Sequence, residues 1–197
     1  MSKQIQLVRD ALLEAKSGLD NLIENEAVLA KVVAASELML DSIKSGHKVM
    51  SCGNGGSLCD AMHFAEELSG RFRKDRPAIA AMSLADPSHM SCVGNDYGYE
   101  YVFSRFLSAV GQKGDTLLAI TTSGTSKNIV KAAEEAKKKG IKVVALTGKE
   151  DSPISKLADV AIVTPAGRFA DRVQELHIKV IHILIELIEN GLASKEN

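Results

Sequence analysis

Five short apolar runs constrain the fold of this chain more than any other feature. Each is five to seven residues long and is bounded by Gly, Asp, Pro or Ser. They lie at 48–52, 78–84, 115–121, 141–147 and 158–164. Strands that are apolar on both faces are typical of a parallel sheet covered on both sides. The sequence therefore predicts a parallel sheet.

Helical patterns separate these runs. Residues 27–45 carry apolar side chains at helical spacing, and Gly46 can end that helix. Between the third and fourth runs, residues 126–140 place apolar side chains on one face and end in a basic turn, which the helix dipole favours. This alternation predicts a three-layer α/β domain with helices on both faces of the sheet.

Composition excludes several classes of protein. A formal net charge of -1 over 197 residues gives no general attraction to nucleic acid. The amino terminus has charges every few residues, so we expect no signal peptide and a cytoplasmic protein. The late apolar stretch 176–188 is broken by charge and falls short of the ~20 residues that span a bilayer, so we expect no membrane partner. Cys52, Cys59 and Cys92 form no CxxC pair, which favours buried, reduced thiols over metal ligation.

Two loops follow strands at the edge where ligands bind in such sheets. They are GNGGS at 53–57 and TTSGTS at 121–126. Hydroxyls and backbone N–H groups at a helix start form a phosphate cradle without net positive charge. An ordinary turn with a Ser or Thr cap explains either loop alone. Both loops at one edge favour a phosphate site.

A candidate metal site lies in the helix that follows the first loop. His63 and Glu67 are four residues apart, so they share one helix face, whereas Glu66 points about 100° away. The HxxxE spacing suits a divalent metal, but an exposed pair of this kind is more often a plain surface contact. A metal site here requires a second cluster.

The predicted carboxy-terminal helix, 169–190, offers that cluster. Gln174 falls on its apolar face and needs a partner, and His182 lies some 12 Å further along the axis. The two converge on one ligand only if both side chains reach toward each other, or if neighbouring subunits share the site. A packed His177 and a boundary His182 without a ligand remain the alternative. Because the helix is apolar around most of its circumference, oligomerisation is expected.

Four segments then resemble one family over nearly the whole chain. They are SCGNGGSLCDAMHFAEELSGRFR, SHMSCVGNDYGYEYVFSR, GDTLLAITTSGTSKNIVKA and ADRVQELHIKVIHILIELIE. Their residue types, spacing and order are similar to the phosphoheptose isomerases of the sugar isomerase (SIS) domain superfamily. The resemblance implies a single SIS domain over 1–197, a three-layer αβα sandwich with a five-stranded, flavodoxin-like parallel sheet and a long carboxy-terminal helix. Helices within about 1–46 would serve in packing a homotetramer.

The resemblance also implies an activity and a site. The activity is conversion of D-sedoheptulose 7-phosphate to D-glycero-D-manno-heptose 7-phosphate, the first step toward the ADP-heptose of lipopolysaccharide. One Zn²⁺ per subunit would be held by His63, Glu67, Gln174 and His182. Phosphate and sugar contacts would come from the loop residues, from the same Glu67 and Gln174, and from Arg71. The loop residues implied are Asn54, Gly55, Gly56, Ser57, Asn95, Asp96, Thr121, Thr122, Ser123 and Ser126.

In the mechanism that this set suggests, Glu67 is the base, His182 is the acid and an enediol lies between ketose and aldose. Arg71 in a structural ion pair is an equally good interpretation. Two functional alternatives remain open at this point. One is a non-enzymatic SIS protein that binds the replication initiator; the other is an isomerase of a different phosphosugar.

Overall fold

The computed structural model describes residues 2–193 and confirms the predicted architecture. Eight helices and five strands are assigned within this range. The helices are α1 (Lys3–Glu24), α2 (Glu26–Lys44), α3 (Gly56–Ser69), α4 (Pro87–Asp96), α5 (Val102–Val110), α6 (Lys127–Lys138), α7 (Pro153–Leu157) and α8 (Ala170–Ala193). The strands are β1 (Val49–Cys52), β2 (Ala81–Ser83), β3 (Thr116–Thr121), β4 (Lys142–Thr147) and β5 (Val160–Val163), and a 3-10 turn (Tyr99–Tyr101) precedes α5.

The five strands form one parallel sheet in the order β2-β1-β3-β4-β5. This is the flavodoxin-like order, in which the strand order reverses beside β1 and β3. Every predicted strand is present. The second one is only three residues long, since residues 78–80 and 84 of the predicted run lie outside the assigned strand.

Side chains of the central strands alternate between two apolar cores. Leu118 and Ile120 of β3 face the core under α2, α3 and α8, whereas Leu117 and Ala119 face the core under α4 to α7. All six residues of β3 are buried. Burying one such leucine stabilises the fold by about 2 kcal/mol. The sheet is therefore a rigid platform whose carboxyl-end loops hold their positions.

Local signals set the helix starts. The Asn25 side chain accepts a hydrogen bond from the Val28 N–H at 3.2 Å and begins α2. Asp86 caps α4 in the same way through the His89 N–H, with Pro87 in the first turn. These caps explain why the helix bounds agree closely with the sequence pattern.

The prediction of buried cysteines is correct for one residue and wrong for two. Cys52 is buried in β1, and burial raises the pKa of its thiol to about 12. Cys59 and Cys92 are exposed, because they lie on the outward faces of α3 and α4. All three are free thiols.

The length and apolarity of the long helices decide whether they can cross a membrane. None of those within residues 2–193 combines the length and apolarity that a bilayer span requires. The apolar side of α8 is instead buried in the protein core, through residues such as Val180, Ile181 and Leu184.

Candidate functional site

The loop after β3 forms a compact group of hydroxyls. Thr121 is buried at the end of the strand, and its Oγ1 lies 3.2 Å from Ser126 Oγ and 3.4 Å from Ser123 Oγ. Gly124 turns the chain with φ +71°, and a Cβ there would meet Ser152 at 2.3 Å, so only glycine fits. The loop thus concentrates three hydroxyls at the start of α6.

The start of α6 lacks the side-chain cap that an ordinary turn with a Ser or Thr cap would have. Ser126 occupies the N-cap position, but its side chain makes no capping hydrogen bond. Its hydroxyl is directed to Thr121 instead. A helix N-terminus of this kind attracts an anion through its N–H groups and its dipole.

A cleft of about 280 Å³ adjoins this loop. It is lined by Thr122, Ser123, Lys149 and Arg168, among others, so two cations border it. Sequence reasoning missed both cations, because each lies in a loop without a recognisable pattern. A larger cleft of about 400 Å³ between α5 and α6 is lined by none of the predicted site residues.

The glycine loop after β1 brings Asn54 to the same edge of the sheet. Its amide is paired with Asn128 of α6 in both directions, at 2.8 and 2.9 Å, and Tyr99 Oη lies 3.4 Å from its Oδ1. Asn128 and Tyr99 are further site residues that sequence reasoning missed. Asn128 is a polar residue on the otherwise apolar face of α6, and that was the available signal.

The end of α4 lies next to this group in the chain. Asn95 and Asp96 are exposed, with Asn95 Nδ2 2.7 Å from Asp96 Oδ1. Tyr99, three residues on, connects this segment to Asn54. Ser57 is buried in the first turn of α3, and Gly55 has φ +53° directly before that helix. Arg71 is exposed just beyond the end of α3.

The second cluster, the histidine–carboxylate cluster, consists of His63 and Glu67 on α3 and His182 on α8. His63 Nε2 lies 3.0 Å from His182 Nε2 and 3.4 Å from Glu67 Oε1. Glu67 Oε2 is buried and has no hydrogen-bond partner. Residues 119 positions apart in sequence are thereby brought into direct contact.

These donors fit a divalent metal. Two imidazole nitrogens that bind zinc tetrahedrally at about 2.0–2.1 Å lie about 3.3 Å apart, close to the distance seen here. The unpartnered Glu67 oxygen is a further donor. Glu66 also has a ligand atom within 4.8 Å of those of His63 and Glu67, but it faces His63 Nδ1 and is exposed. Among the described residues, the group whose ligand atoms all lie within 4.8 Å of one another is His63, Glu66 and Glu67, and His182 is joined to it through His63 Nε2.

Gln174 does not join this cluster within one chain. A Cβ placed on Gly56 would lie 2.7 Å from Gln174 Oε1, so the amide packs against the start of α3. His63 is seven residues further along α3, about 10 Å along its axis. The chain therefore places His63 against both Glu67 and His182, and leaves the fourth implied ligand, Gln174, beside the glycine loop.

The two histidines of α8 lie in different environments. Burial lowers the pKa of His182, and the nearby His63 lowers it further, whereas the Glu67 carboxylate opposes the shift. His177 is fully buried, which lowers its pKa to about 4, and it packs as the sequence alternative proposed.

Comparisons with known proteins show the family of the chain. The SIS domain family model matches residues 13–148. A phosphoheptose isomerase from Aeromonas hydrophila is 56% identical over 188 residues, covering 95% of this chain and 98% of that protein. The chain belongs to the phosphoheptose isomerase family. A family member from Cytophaga hutchinsonii is 58% identical over 181 residues, covering 92% of this chain and 95% of that protein.

Solved structures give the same result. A phosphoheptose isomerase from Neisseria gonorrhoeae superposes with a TM-score of 0.88 at 34% identity, covering 95% of this chain and all of that one. Membership of the family identifies the chain as an enzyme of the isomerase class. Within residues 2–193, the two clusters described above are the candidates for its active site.

Proposed function

We propose that the protein interconverts D-sedoheptulose 7-phosphate and D-glycero-D-manno-heptose 7-phosphate, the first step toward ADP-heptose for lipopolysaccharide. The observation that carries this proposal is the pairing of a hydroxyl loop with a histidine–carboxylate cluster in one family fold. Hydroxyls at a helix N-terminus suit a phosphate group, and a metal site suits carbonyl chemistry.

The hydroxyl loop binds the phosphate. Thr121, Ser123 and Ser126 present hydroxyls, with Thr122 in the same loop, and the start of α6 adds its dipole. Asn54, Ser57, Asn95 and Asp96 contact the sugar hydroxyls, together with the glycine backbone at 55–56 and Gln174. Arg71 adds positive charge when the substrate binds.

The reaction moves one proton between neighbouring carbons. Glu67 takes the proton from the carbon beside the carbonyl, and His182 delivers a proton to the carbonyl oxygen. The enediol that results is protonated at the former carbonyl carbon by the same carboxyl group, and the hydroxyl on the carbon that lost its proton gives a proton back to His182, so that the new carbonyl forms. If Glu67 also holds a metal, that contact would have to loosen during this step, because a tightly held carboxylate is a poorer base.

One Zn²⁺ per subunit, held by His63, Glu67 and His182 and completed by Gln174, would polarise the carbonyl and favour a cis arrangement of the two oxygens. The buried, unpartnered Glu67 oxygen supports this assignment. Gln174 completes the set either by moving from Gly56 or by reaching from a neighbouring subunit.

The proposed assembly is a cytoplasmic homotetramer. Support comes from the outer side of α1, where large apolar side chains are exposed, among them Leu7 at 71% and Leu12 at 66%. A surface of this kind on an amphipathic helix is typical of a subunit interface. Light scattering at micromolar concentration will measure the assembly.

The test of the reaction is NMR in deuterated water with sedoheptulose 7-phosphate and zinc-loaded protein. An aldoheptose 7-phosphate with deuterium at carbon 2 is the expected product, and it should be absent with Glu67→Gln. Turnover of a pentose or amino-sugar phosphate in place of the heptose would favour the other phosphosugar isomerases. Capture of the replication initiator without any turnover would favour the non-enzymatic SIS alternative.

A further inference from the structure

The segment after α3 contains one arginine with an unusual set of contacts. The Arg76 side chain is 13% exposed, and its Nε lies 2.7 Å from Glu189 Oε1 on α8. Its Nη2 donates to the Glu67 carbonyl at 2.6 Å, and its Nη1 donates to the Leu68 carbonyl at 2.8 Å. One guanidinium thus joins the last turn of α3 to α8.

These carbonyls belong to the set that a helix end leaves without internal partners. Gly70 N–H satisfies the Glu66 carbonyl at 2.7 Å, and Arg76 satisfies the Glu67 carbonyl. The Leu68 carbonyl accepts from both Arg76 and the Ile79 N–H, the latter at 3.1 Å. A positive charge at this end of α3 also complements the helix dipole. Arg76 therefore fixes the backbone of Glu67, the residue that carries the cluster's carboxylate.

The α8 partner of Arg76, Glu189, lies on the same helix as His182 of the cluster. Glu189 is seven residues after His182, two turns along α8 on nearly the same face. The Arg76 contacts thus join the backbone of one cluster residue to the helix face of another, in addition to the apolar core that packs α3 on α8. His63 and His182 meet only through that packing.

We propose that Arg76 is a positioning residue for the histidine–carboxylate cluster, and that it acts on metal binding through the geometry of α3 against α8. This rests on the proposed metal site. Groups outside the ligand shell that orient ligands typically change metal affinity by about 10–100-fold when they are removed. A comparison with a second arginine, Arg73, distinguishes this role from an effect of positive charge alone.

Arg73 provides a matched control. It forms an ion pair with Glu186 at 2.5 Å, between the same two parts of the chain, but both side chains are exposed. The Arg73 charge also lies close to the cluster, since its guanidinium covers the Phe72 ring that stacks on His182. If positive charge near the cluster were the cause, Arg73→Gln would have a comparable effect.

The experiment measures Zn²⁺ affinity by competition with a chromophoric chelator, and the visible spectrum with Co²⁺, on the full chain. Wild type, Arg76→Gln, Arg76→Lys and Arg73→Gln are compared. We expect Arg76→Gln to bind Zn²⁺ about 10–100-fold more weakly with an altered Co²⁺ spectrum. Arg76→Lys should recover part of the loss, and Arg73→Gln should stay within about threefold of wild type.

Two results would overturn the proposal. The first is an Arg76→Gln protein with lower thermal stability but wild-type metal affinity and spectrum, which would make Arg76 a helix cap only. The second is an equal or larger effect of Arg73→Gln. If wild type binds neither metal, the proposed metal site fails together with this inference, whereas isomerase turnover measured separately still tests the reaction.

Glu189→Gln keeps the inference testable if Arg76→Gln does not fold. This variant leaves the α3 carbonyls bound to Arg76 and removes only the charge of the α8 contact. A severalfold weaker Zn²⁺ affinity is expected. Wild-type affinity would overturn the positioning role.

Discussion

The hydroxyl loop and the histidine–carboxylate cluster differ in how far along the chain their parts come from. Thr121, Ser123 and Ser126 lie within six consecutive residues and contact one another directly. His63 and His182 are 119 residues apart and meet through the packing of two helices. The first region depends on local conformation and the second on tertiary structure, so they should respond differently to mutation.

The largest expected effect is at the proposed base. Glu67→Gln keeps the size of the side chain and removes its charge, so we expect kcat to fall by about 10²–10⁴-fold, the usual contribution of a general base. Binding of inorganic phosphate at the hydroxyl loop should not change. Near-normal turnover would remove Glu67 from its assigned role.

Removal of the metal should affect the histidine–carboxylate cluster and leave the hydroxyl loop unchanged. Treatment with a strong chelator is expected to lower turnover by at least about tenfold and to leave phosphate affinity unchanged, because the loop's contacts are local. Re-addition of Zn²⁺ should restore turnover. Full activity in the chelated protein, with metal content checked by mass spectrometry, would reduce the metal to an accessory.

A change in the hydroxyl loop should have a smaller effect than the two changes above, and it should weaken substrate binding while turnover stays nearly unchanged. Ser123→Ala removes one phosphate donor, worth about 1 kcal/mol, so KM should rise about fivefold with little change in kcat. Zn²⁺ affinity of the same variant should equal that of wild type. A parallel loss of metal affinity would show that the two regions are coupled, contrary to the comparison.

The smallest expected effect concerns the strand that carries the loop. Burial opposes ionisation of Asp115, directly before β3, but hydrogen bonds from the Lys48 side chain, the Lys48 N–H and the Gln112 N–H outweigh it and lower the pKa of Asp115. A lowered pKa in the folded state stabilises the protein above the unfolded value near 4. That stability is lost as the pH falls through the folded pKa.

Asp115→Asn should therefore lower the free energy of unfolding at pH 7 and flatten its decline below about pH 4. Denaturant titrations between pH 7 and pH 3 will measure this. The phosphate affinity should change little, because the substitution lies at the opposite end of β3 from the loop. If the free energy of unfolding of Asp115→Asn falls below pH 4 as steeply as that of wild type, the assignment is contradicted.

The same contrast explains what the sequence could predict. All five strands and the helices α2, α6 and α8 follow from local periodicity, and the hydroxyl loop follows from strand order. The contact of His63 with His182 is implied only by the family resemblance, since helical geometry cannot give the packing of α8 on α3. The roles of Asn128 and Arg76 depend on tertiary partners, Asn54 and Glu189, that no local pattern identifies.

The exposed apolar side of α1 has a thermodynamic consequence. In the proposed homotetramer, a second copy that covers Leu7 and Leu12 would bind the folded chain and not the unfolded one. Mass action then makes the melting temperature depend on dilution, with each tenfold change in protein concentration shifting the balance of one association step by about 1.4 kcal/mol. A dilution series is thus a measure of how much of this enzyme's stability resides between chains instead of within one.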